Sequence, residues 1–243
     1  MSGDHTDNHS ASDPENTPHD YHIRASQHEQ SQAVPTAFAA YKEALEMARG
    51  LAVPGRRRIL GIVGKPGGGK SALAARLVEE LAGLAVYVPM DGFHLANSQL
   101  ERLGRRERKG AIDTFDAAGY AALLRRLREP VKDVTVYAPS FRREIEEPIA
   151  GSIPVEPGIP LVVTEGNYLL VAEPPWAEVG GLLDQSWYVE TDEGLRLERL
   201  IARHVAFGKS PEEARLWSMG TDERNAEVIG RTQSRADLVV RWD

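Results

Sequence analysis

The chain has 243 residues, of which 42% are hydrophobic and 27% charged, a composition typical of a folded domain and not of a wholly disordered protein. Its formal net charge of −7 argues against a nucleic-acid partner, because such partners are bound mainly by cations that neutralise phosphates. The chain has no cysteine, which excludes disulfides, thiolate metal sites, iron–sulfur clusters and a cysteine nucleophile.

The first 33 residues differ in composition from the rest. They hold six acidic residues and one basic residue, Arg24, so their net charge is −5. Large aliphatic side chains are almost absent, and this segment cannot bury enough apolar surface to offset the entropy of ordering. We predict a disordered acidic tail over residues 1–33 and one folded domain over residues 34–243. Five of the seven histidines lie in the tail, which leaves metal binding there as an alternative.

No apolar run approaches the roughly 18 residues that a membrane-spanning helix needs. The polar N-terminal segment also lacks the apolar region of a signal peptide. We therefore expect a cytoplasmic protein with no membrane partner.

The predicted elements of the domain alternate between helices and short apolar strands. In chain order they are a helix over 36–49, a strand at 59–63, a helix over 70–81, a strand at 85–90, a helix over 117–128, strands at 134–137, 161–164 and 187–189, a helix over 195–207, a helix from 211, and a strand at 238–240. Residues 142–160, rich in proline and glycine, predict an insertion or hairpin. This alternation predicts an α/β fold with a doubly wound, mostly parallel sheet flanked by helices.

A glycine-rich segment between the first strand and its helix carries the clearest motif. Residues 64–71 fit the phosphate-loop pattern G-x-x-x-x-G-K-[ST] without mismatch. The glycines allow positive φ, so backbone N–H groups converge on phosphate oxygens, and the helix N-terminus points at the same anion. In such a loop the lysine contacts the β- and γ-phosphates and the serine hydroxyl ligates Mg²⁺. The predicted nucleotide-binding residues are Gly64, Lys65, Gly67, Gly68, Gly69, Lys70, Ser71 and Ala72.

Two carboxylates follow later strands and predict which class of nucleotide-binding protein this is. Asp91 ends the strand at 85–90, where it could accept the proton of an acceptor hydroxyl; the alternative is a turn or helix cap. Glu165 ends the strand at 161–164, where it could contact Mg²⁺ together with Ser71, contact the substrate, or make only a structural hydrogen bond. The chain lacks the Asn-Lys-x-Asp motif of GTPases, and a carboxylate after the second strand favours a kinase.

The helix at 195–207 carries arginines on one side. Arg199 and Arg203 are four residues apart and therefore face the same way. On a mobile segment they could stabilise the charge of the transferring phosphoryl group, whereas the alternative is a solvated helix face.

In combination, these motifs resemble the phosphoribulokinase/uridine kinase superfamily, which includes uridine kinases and the P-loop pantothenate kinases. The resemblance rests on residues 64–71, 90–93, 108–110, 113–116, 136–137, 164–166 and 196–203. The chain is especially similar to bacterial nucleoside/nucleotide kinase family proteins, some of which are labelled fructose-transport kinases. The resemblance implies a P-loop NTPase fold with a helical lid. A homodimer is compatible with this interpretation.

The resemblance also implies roles for individual residues. Asp91 matches the catalytic aspartate, and Arg199 and Arg203 match lid arginines that hold phosphates and act with Lys70. Glu165, Lys109 and Tyr137 match residues on the acceptor side. His94 either lines the acceptor pocket or caps the following helix.

One segment departs from the family pattern. Residues 138–143 contain no histidine, whereas uridine and pantothenate kinases carry one near this position. Neither nucleoside nor pantothenate recognition can therefore be assumed. Arg142 and Arg143 would suit an acidic or phosphorylated acceptor, or they begin a solvated hairpin.

The sequence thus predicts an ATP- and Mg²⁺-dependent kinase that phosphorylates a hydroxyl of a small metabolite, such as a nucleoside, a pantothenate-like compound or a sugar. An alternative is a nucleotide-switched binding protein without kinase activity. A third is a phosphotransferase acting on a nucleotide or sugar phosphate, for which Arg142 and Arg143 would be essential.

Overall fold

A computed structural model describes residues 38–242. The predicted tail, residues 1–33, lies outside the described residues, as does the predicted start of the first helix at residue 36. None of the helices between residues 38 and 242 combines the length and apolar character needed to cross a bilayer.

The described chain alternates between strands and helices. The strands are β1 (Phe38–Ala39), β2 (Arg58–Val63), β3 (Ala85–Tyr87), β4 (Val136–Arg142), β5 (Glu147–Val155), β6 (Leu161–Glu165), β7 (Gln185–Glu190) and β8 (Leu238–Arg241). The α-helices are α1 (Tyr41–Leu51), α2 (Lys70–Glu80), α3 (Asn97–Arg102), α4 (Ala117–Arg128), α5 (Glu193–Ala206), α6 (Pro211–Trp217) and α7 (Glu223–Gly230).

Six strands form one sheet in the order β1-β8-β7-β2-β6-β3, and every neighbouring pair is parallel. Ile62 of β2 lies opposite Glu165 of β6, and Tyr87 of β3 lies opposite Val163. The carboxyl ends of β2, β6 and β3 therefore meet at one edge, where ligands bind in open α/β sheets. This arrangement confirms the predicted α/β fold.

Helices cover both faces of the sheet. Alternate residues of one strand point to opposite sides, so Val162 joins one apolar core while Leu161 and Val163 join the other. The first core includes α4 and the segment that follows β6, and the second includes α1 and α2. Burial on both faces explains why the central strands are continuously apolar.

The strand predicted at 134–137 is not part of the main sheet. It belongs to β4, which pairs antiparallel with β5 as a separate two-stranded sheet and shifts register between Ala138 and Ser140. Pro139 lies at this shift, and a proline cannot donate a ladder hydrogen bond from the middle of a sheet. The expected hairpin within residues 142–160 is thus present, and it begins earlier, at Val136.

Two predicted boundaries need correction. The first helix begins at Tyr41, because Phe38 and Ala39 form β1 against β8, and the Glu43 carboxylate accepts the backbone N–H of Ala40 at the helix start. The second strand ends at Tyr87 rather than at residue 90, and the chain then forms a 3₁₀ turn over Met90–Phe93. Asp91 lies in this turn.

Candidate active site

The phosphate loop is shaped by glycines whose backbone conformation other residues rarely adopt. Gly67 and Gly69 have φ of +83° and +85°, in the left-handed region that other residues rarely adopt. A Cβ atom on Gly67 would lie 2.4 Å from the carbonyl oxygen of Arg196, and one on Gly69 would lie 2.6 Å from the ring of Trp242. The backbone conformation therefore favours glycine at both positions, and at Gly67 a fixed backbone atom also leaves no room for a side chain.

The loop leads directly into α2, whose first amides have no partners within the helix. The first of its backbone hydrogen bonds runs from Leu73 N–H to the Gly69 carbonyl, and Gly69 has no side chain that could cap the N-terminus. The amides of Lys70, Ser71 and Ala72 thus remain available to an anion, and the helix dipole favours negative charge at this point.

Lys70 is buried beside this helix terminus. Its ammonium group donates to the carbonyl of Lys65 at 3.2 Å, and burial lowers the pKa of Lys70 to about 8, against an opposing effect of the Glu165 carboxylate. The side chain of Lys65 itself points elsewhere and forms an ion pair with Glu193. Of the two lysines in the phosphate loop, Lys70 is therefore the one whose ammonium group lies at the centre of the loop.

Glu165, at the end of β6, is joined to the loop by hydrogen bonds. Its Oε1 atom accepts from the Ser71 hydroxyl at 3.1 Å and from the Tyr87 hydroxyl at 2.7 Å. Only 4% of Glu165 is exposed, and burial together with the nearby charge of Asp91 raises its pKa. Burial also raises the pKa of Tyr87, which keeps this hydroxyl a hydrogen-bond donor.

Ser71 and Glu165 provide the type of ligand that Mg²⁺ prefers, which is a hard oxygen atom. Their two oxygen atoms lie within hydrogen-bonding distance of each other, so both are close enough to contact one ion. Between residues 38 and 242 no three acidic or histidine side chains form a metal-binding cluster. This donor set fits a Mg²⁺ ion that is also bound by substrate phosphates and water, as in phosphotransferases.

Asp91 lies in the turn after β3, and its carboxylate faces the cleft. Oδ2 of Asp91 lies 3.3 Å from a guanidinium nitrogen of Arg143, which reaches across from the end of the β4–β5 hairpin. Within the described chain this carboxylate accepts no backbone N–H, so it does not serve as a turn or helix cap.

His94 stands on the same side of the cleft, between two aromatic rings. Its ring centroid lies 4.0 Å from that of Phe115 and 4.6 Å from that of Phe141, and Nδ1 lies 2.8 Å from the carbonyl oxygen of Asp91. Burial lowers the pKa of His94, which keeps the ring neutral. The alternative helix-cap role is wrong, because the first amide of α3 is bound by Glu147 instead.

The three arginines of α5 occupy different surroundings. Arg196 is buried and bonds Glu193, Glu223 and the carbonyl of Pro66, so it fixes the helix against the phosphate loop. Arg203 faces the cleft, and burial together with the charge of Arg143 lowers its pKa. Its guanidinium makes no hydrogen bond or ion pair with residues 38–242. Arg199 does not line the cleft, and its predicted role stays a prediction.

A cleft of about 310 Å³ brings seven of the predicted site residues together. Those that line it are Lys70, Ser71, Asp91, His94, Lys109, Glu165 and Arg203. Tyr137 does not: 59% of it is exposed, because it points away from its buried neighbours Val136 and Ala138. The aromatic residue of this strand that lines the cleft is Phe141.

Several residues in or beside the cleft were not predicted from the sequence. Tyr87 contacts Glu165, and His204 of α5 pairs with Asp222 at 2.7 Å within a π-helical turn over Ser218–Asp222. Side chains alternate between the two faces of a strand, so the sequence places Tyr87 on the face opposite to Val86 and Val88. No sequence motif identifies Glu165 as the partner of Tyr87. The pairing of His204 with Asp222 depends on packing between distant segments.

A second cavity of about 410 Å³ lies on the other side of the phosphate loop. Lys65, Gly68, Glu190, Gln233 and Arg241 line it, together with Tyr188. The hydroxyl of Tyr188 is buried and finds no hydrogen-bond partner among the described residues. A buried hydroxyl without a partner is costly, which is consistent with a ligand in this cavity.

Sequence comparisons extend over nearly the whole described chain. The sequence model of the Phosphoribulokinase / Uridine kinase family matches residues 59–242. A candidate uridine kinase of Schizosaccharomyces pombe is 33% identical over 214 residues, which cover 84% of this chain and 91% of that protein. A pantothenate kinase of Clavibacter sepedonicus is 27% identical over 213 residues, 76% of this chain and 66% of that protein.

Solved structures agree with the sequence comparisons. The crystal structure of a candidate fructose transport system kinase from Silicibacter sp. TM1040 superposes with a TM-score of 0.72 at 33% identity, over 82% of this chain and 98% of that one. The match of the family model to three quarters of the chain, and the parallel sheet with its phosphate loop, lead to one conclusion. The chain belongs to the phosphoribulokinase/uridine kinase family of P-loop kinases.

Proposed function

We propose that this protein transfers the γ-phosphoryl group of ATP to a hydroxyl of a small molecule. The observation that carries the proposal is the convergence of Lys70, Ser71, Glu165 and Asp91 on one cleft. The first three suit a nucleotide triphosphate and its metal, and the fourth suits an acceptor hydroxyl. Membership of a kinase family favours the same reaction.

The ATP site follows from the chemistry of the loop. The free amides at the start of α2 and the Lys70 ammonium would bind the β- and γ-phosphates. We assign the nucleoside part of ATP to the second cavity, beyond Gly68, where the Tyr188 hydroxyl has no hydrogen-bond partner among residues 38–242. Ser71 and Glu165 would hold Mg²⁺, which when bound neutralises charge on the phosphates.

Asp91 would accept or orient the proton of the acceptor hydroxyl for in-line attack on the γ-phosphorus. Lys70 and Arg203 would neutralise charge on the transferring phosphoryl group. Arg199 would join them if α5 moves towards the phosphate loop. Lys70 and Glu165 are already buried, and closure of the helical lid would exclude water from the remaining reacting atoms, which would suppress hydrolysis of ATP without an acceptor.

The relatives' names give candidate acceptors for this chain. They include uridine, pantothenate and fructose, each from a protein that shares the fold and the family. Because residues 138–143 lack the histidine of uridine and pantothenate kinases, we expect a different acceptor preference here.

The proposal is tested by acceptor-dependent release of ADP from ATP with Mg²⁺, over a panel of nucleosides, pantothenate, sugars and their acidic derivatives. Asp91→Asn should abolish acceptor-dependent release while ATP binding persists, and Asp133→Asn, in an exposed turn outside the cleft, should behave as wild type.

Acceptor-dependent turnover that survives in Asp91→Asn would contradict the assigned role of Asp91. Tight ATP binding with no turnover on any acceptor would favour the nucleotide-switched binding protein, for which a proton acceptor at Asp91 has no use.

A further inference from the structure

Cationic side chains outnumber carboxylates in the cleft, and several of them lie outside the phosphate loop and α5. Six cationic side chains line it, against four carboxylates, although the whole chain has a net charge of −7. The cations are Lys70, Arg106, Lys109, Arg143, Arg203 and Lys209, and the carboxylates are Asp91, Glu146, Glu165 and Asp222. Lys70 belongs to the phosphate loop and Arg203 to α5, where both suit the triphosphate. The proposed triphosphate site does not use the other four cations.

Arg143 lies where an acceptor would have to bind. Its guanidinium is 3.3 Å from the Asp91 carboxylate and is 39% exposed, while the Asp91 side chain is 29% exposed. The same guanidinium lies 6.0 Å from the centre of the Phe141 ring and 5.7 Å from that of Phe207, near the end of α5. A hydroxyl that approaches Asp91 therefore arrives beside Arg143.

Lys109 reaches the same wall of the cleft from a different segment. Its ammonium lies 5.0 Å from the centre of the Phe141 ring and donates to Oδ1 of Asn97 at 2.8 Å and to the carbonyl oxygen of Glu146. Burial and the nearby charge of Arg106 lower the pKa of Lys109, while Glu146 and Glu147 oppose that change. Glu147 is itself bound to the amide of Asn97. The ammonium still has one N–H available.

We propose that the acceptor is an anion, with a carboxylate or phosphate group bound by Arg143 and Lys109 beside the reacting hydroxyl. The inference rests on the proposed kinase function and narrows its substrate class. Both cations, and the Phe141 ring that both approach, come from elements outside the phosphate loop, so this anion site is separate from the triphosphate site.

An exchange of partners at Arg143 explains why an anion is favoured over a neutral acceptor. In the free protein the Asp91 carboxylate balances the charge of Arg143. A hydroxyl bound to Asp91 competes with that ion pair, and a neutral acceptor offers the half-buried guanidinium no replacement. An acceptor with its own anionic group supplies a charge-assisted hydrogen bond to Arg143 and leaves Asp91 free for the hydroxyl.

The test is a binding titration in which a non-hydrolysable ATP analogue and Mg²⁺ first saturate the triphosphate site. Inorganic phosphate or acetate is then titrated at constant ionic strength, with binding followed by the fluorescence of Trp217, which lines the cleft. Wild type, Arg143→Gln and Arg142→Gln are compared. Arg142 is the matched control, because it ends β4 directly before Arg143, is exposed and does not line the cleft.

We expect saturable anion binding in the wild type, weakened at least about tenfold in Arg143→Gln and unchanged in Arg142→Gln. Stronger binding of phosphate than of acetate indicates a phosphorylated acceptor, and the reverse order indicates a carboxylate. An acceptor identified by turnover should show a raised KM in Arg143→Gln.

Absence of saturable anion binding, or equal affinity in the two variants, would overturn the inference while leaving the kinase proposal intact. A neutral acceptor whose KM is insensitive to Arg143→Gln would do the same. Failure of the ATP analogue itself to bind would instead contradict the proposed function, and this outcome is recognised before any anion is added.

Discussion

The Ser71 hydroxyl lies 3.1 Å from Oε1 of Glu165, a hydrogen bond that joins the phosphate loop to the end of a neighbouring strand. The two residues are far apart in sequence, and the parallel pairing of β2 with β6 brings them together. The arrangement has consequences for metal binding, for the pH dependence of catalysis and for the rigidity of the loop.

Metal binding should depend on Tyr87, although this residue is not a proposed metal ligand. Its hydroxyl donates to the same Glu165 oxygen at 2.7 Å, which orients the carboxylate. Removal of such a supporting hydrogen bond typically lowers metal affinity about 10–100-fold. We expect Tyr87→Phe to raise the Mg²⁺ concentration for half-maximal activity in that range, with kcat restored at saturating Mg²⁺.

Tyr137→Phe is the matched control for this prediction, because it removes the same hydroxyl from an exposed side chain outside the cleft. Its Mg²⁺ titration should overlay that of the wild type. Identical curves for the two variants would show that Tyr87 does not support the metal site.

The pH dependence of kcat/KM for ATP should show the titration of Lys70. Burial lowers the pKa of Lys70 to about 8, so the free protein loses this positive charge as the pH rises through 8. Because kcat/KM reports the free enzyme, it should fall above about pH 8. Bound phosphates favour the ammonium form, so kcat should persist to higher pH.

Lys70→Arg tests the origin of that alkaline limb, because a guanidinium stays protonated over the same range. The variant is expected to be slower, yet its kcat/KM should not decline between pH 8 and 9. A decline of equal size in both proteins would assign the limb to another group.

Replacing two arginines of α5 by glutamine should affect different properties: catalysis for Arg203 and stability for Arg196. Arg203 faces the cleft, so Arg203→Gln should reduce kcat by about 10³-fold or more, the range found for arginines that stabilise phosphoryl transfer. Its melting temperature should not fall, because the guanidinium bonds no residue between 38 and 242.

Arg196→Gln should instead lower the free energy of unfolding by about 1–3 kcal/mol, since the buried guanidinium bonds Glu193, Glu223 and the Pro66 carbonyl. Thermal melts and turnover numbers of the two variants check both expectations. A loss of stability in Arg203→Gln equal to that in Arg196→Gln would assign Arg203 a structural role.

The two left-handed glycines of the phosphate loop should differ in their tolerance of alanine. At Gly67 the new methyl group would lie 2.4 Å from a backbone carbonyl oxygen, which cannot move without α5. At Gly69 it would lie 2.6 Å from the Trp242 side chain, which can rotate away. Both substitutions are strained by a positive φ, which costs of the order of 1 kcal/mol.

We therefore expect Gly67→Ala to bind ATP more weakly than Gly69→Ala, as measured by titration with a fluorescent nucleotide. Adding Trp242→Ala should recover binding in Gly69→Ala and should not do so in Gly67→Ala. Equal affinities in the two single variants would show that contacts outside the loop do not control its shape.

The sequence is most informative where function depends on local geometry. Residues 64–71 predict the phosphate loop because the glycines and the helix start are contiguous in the chain. Asp91 and Glu165 could be placed at one edge of the sheet because each follows a buried strand, and parallel strands end at the same edge.

Features that depend on distant packing could not be predicted in this way. The strand predicted at 134–137 was expected in the main sheet. It is instead part of β4, which contains Pro139 and pairs with β5 in a separate hairpin. The exposure of Tyr137, the pairing of Arg143 with Asp91 and that of His204 with Asp222 all follow from how this hairpin and the helices after β7 pack.

Trp242, which packs on Gly69, also bears on the order in which the site forms. The Thr191 hydroxyl lies 2.8 Å from the carbonyl oxygens of both Gly68 and Trp242, so residues that follow β7 and β8 support a loop made near the start of the domain. Contacts of such long sequence separation carry a loop-closure cost, and they require both segments to be present. A chain still emerging from the ribosome has the whole phosphate-loop motif but not its support, so we expect nucleotide binding to stabilise only the completed domain.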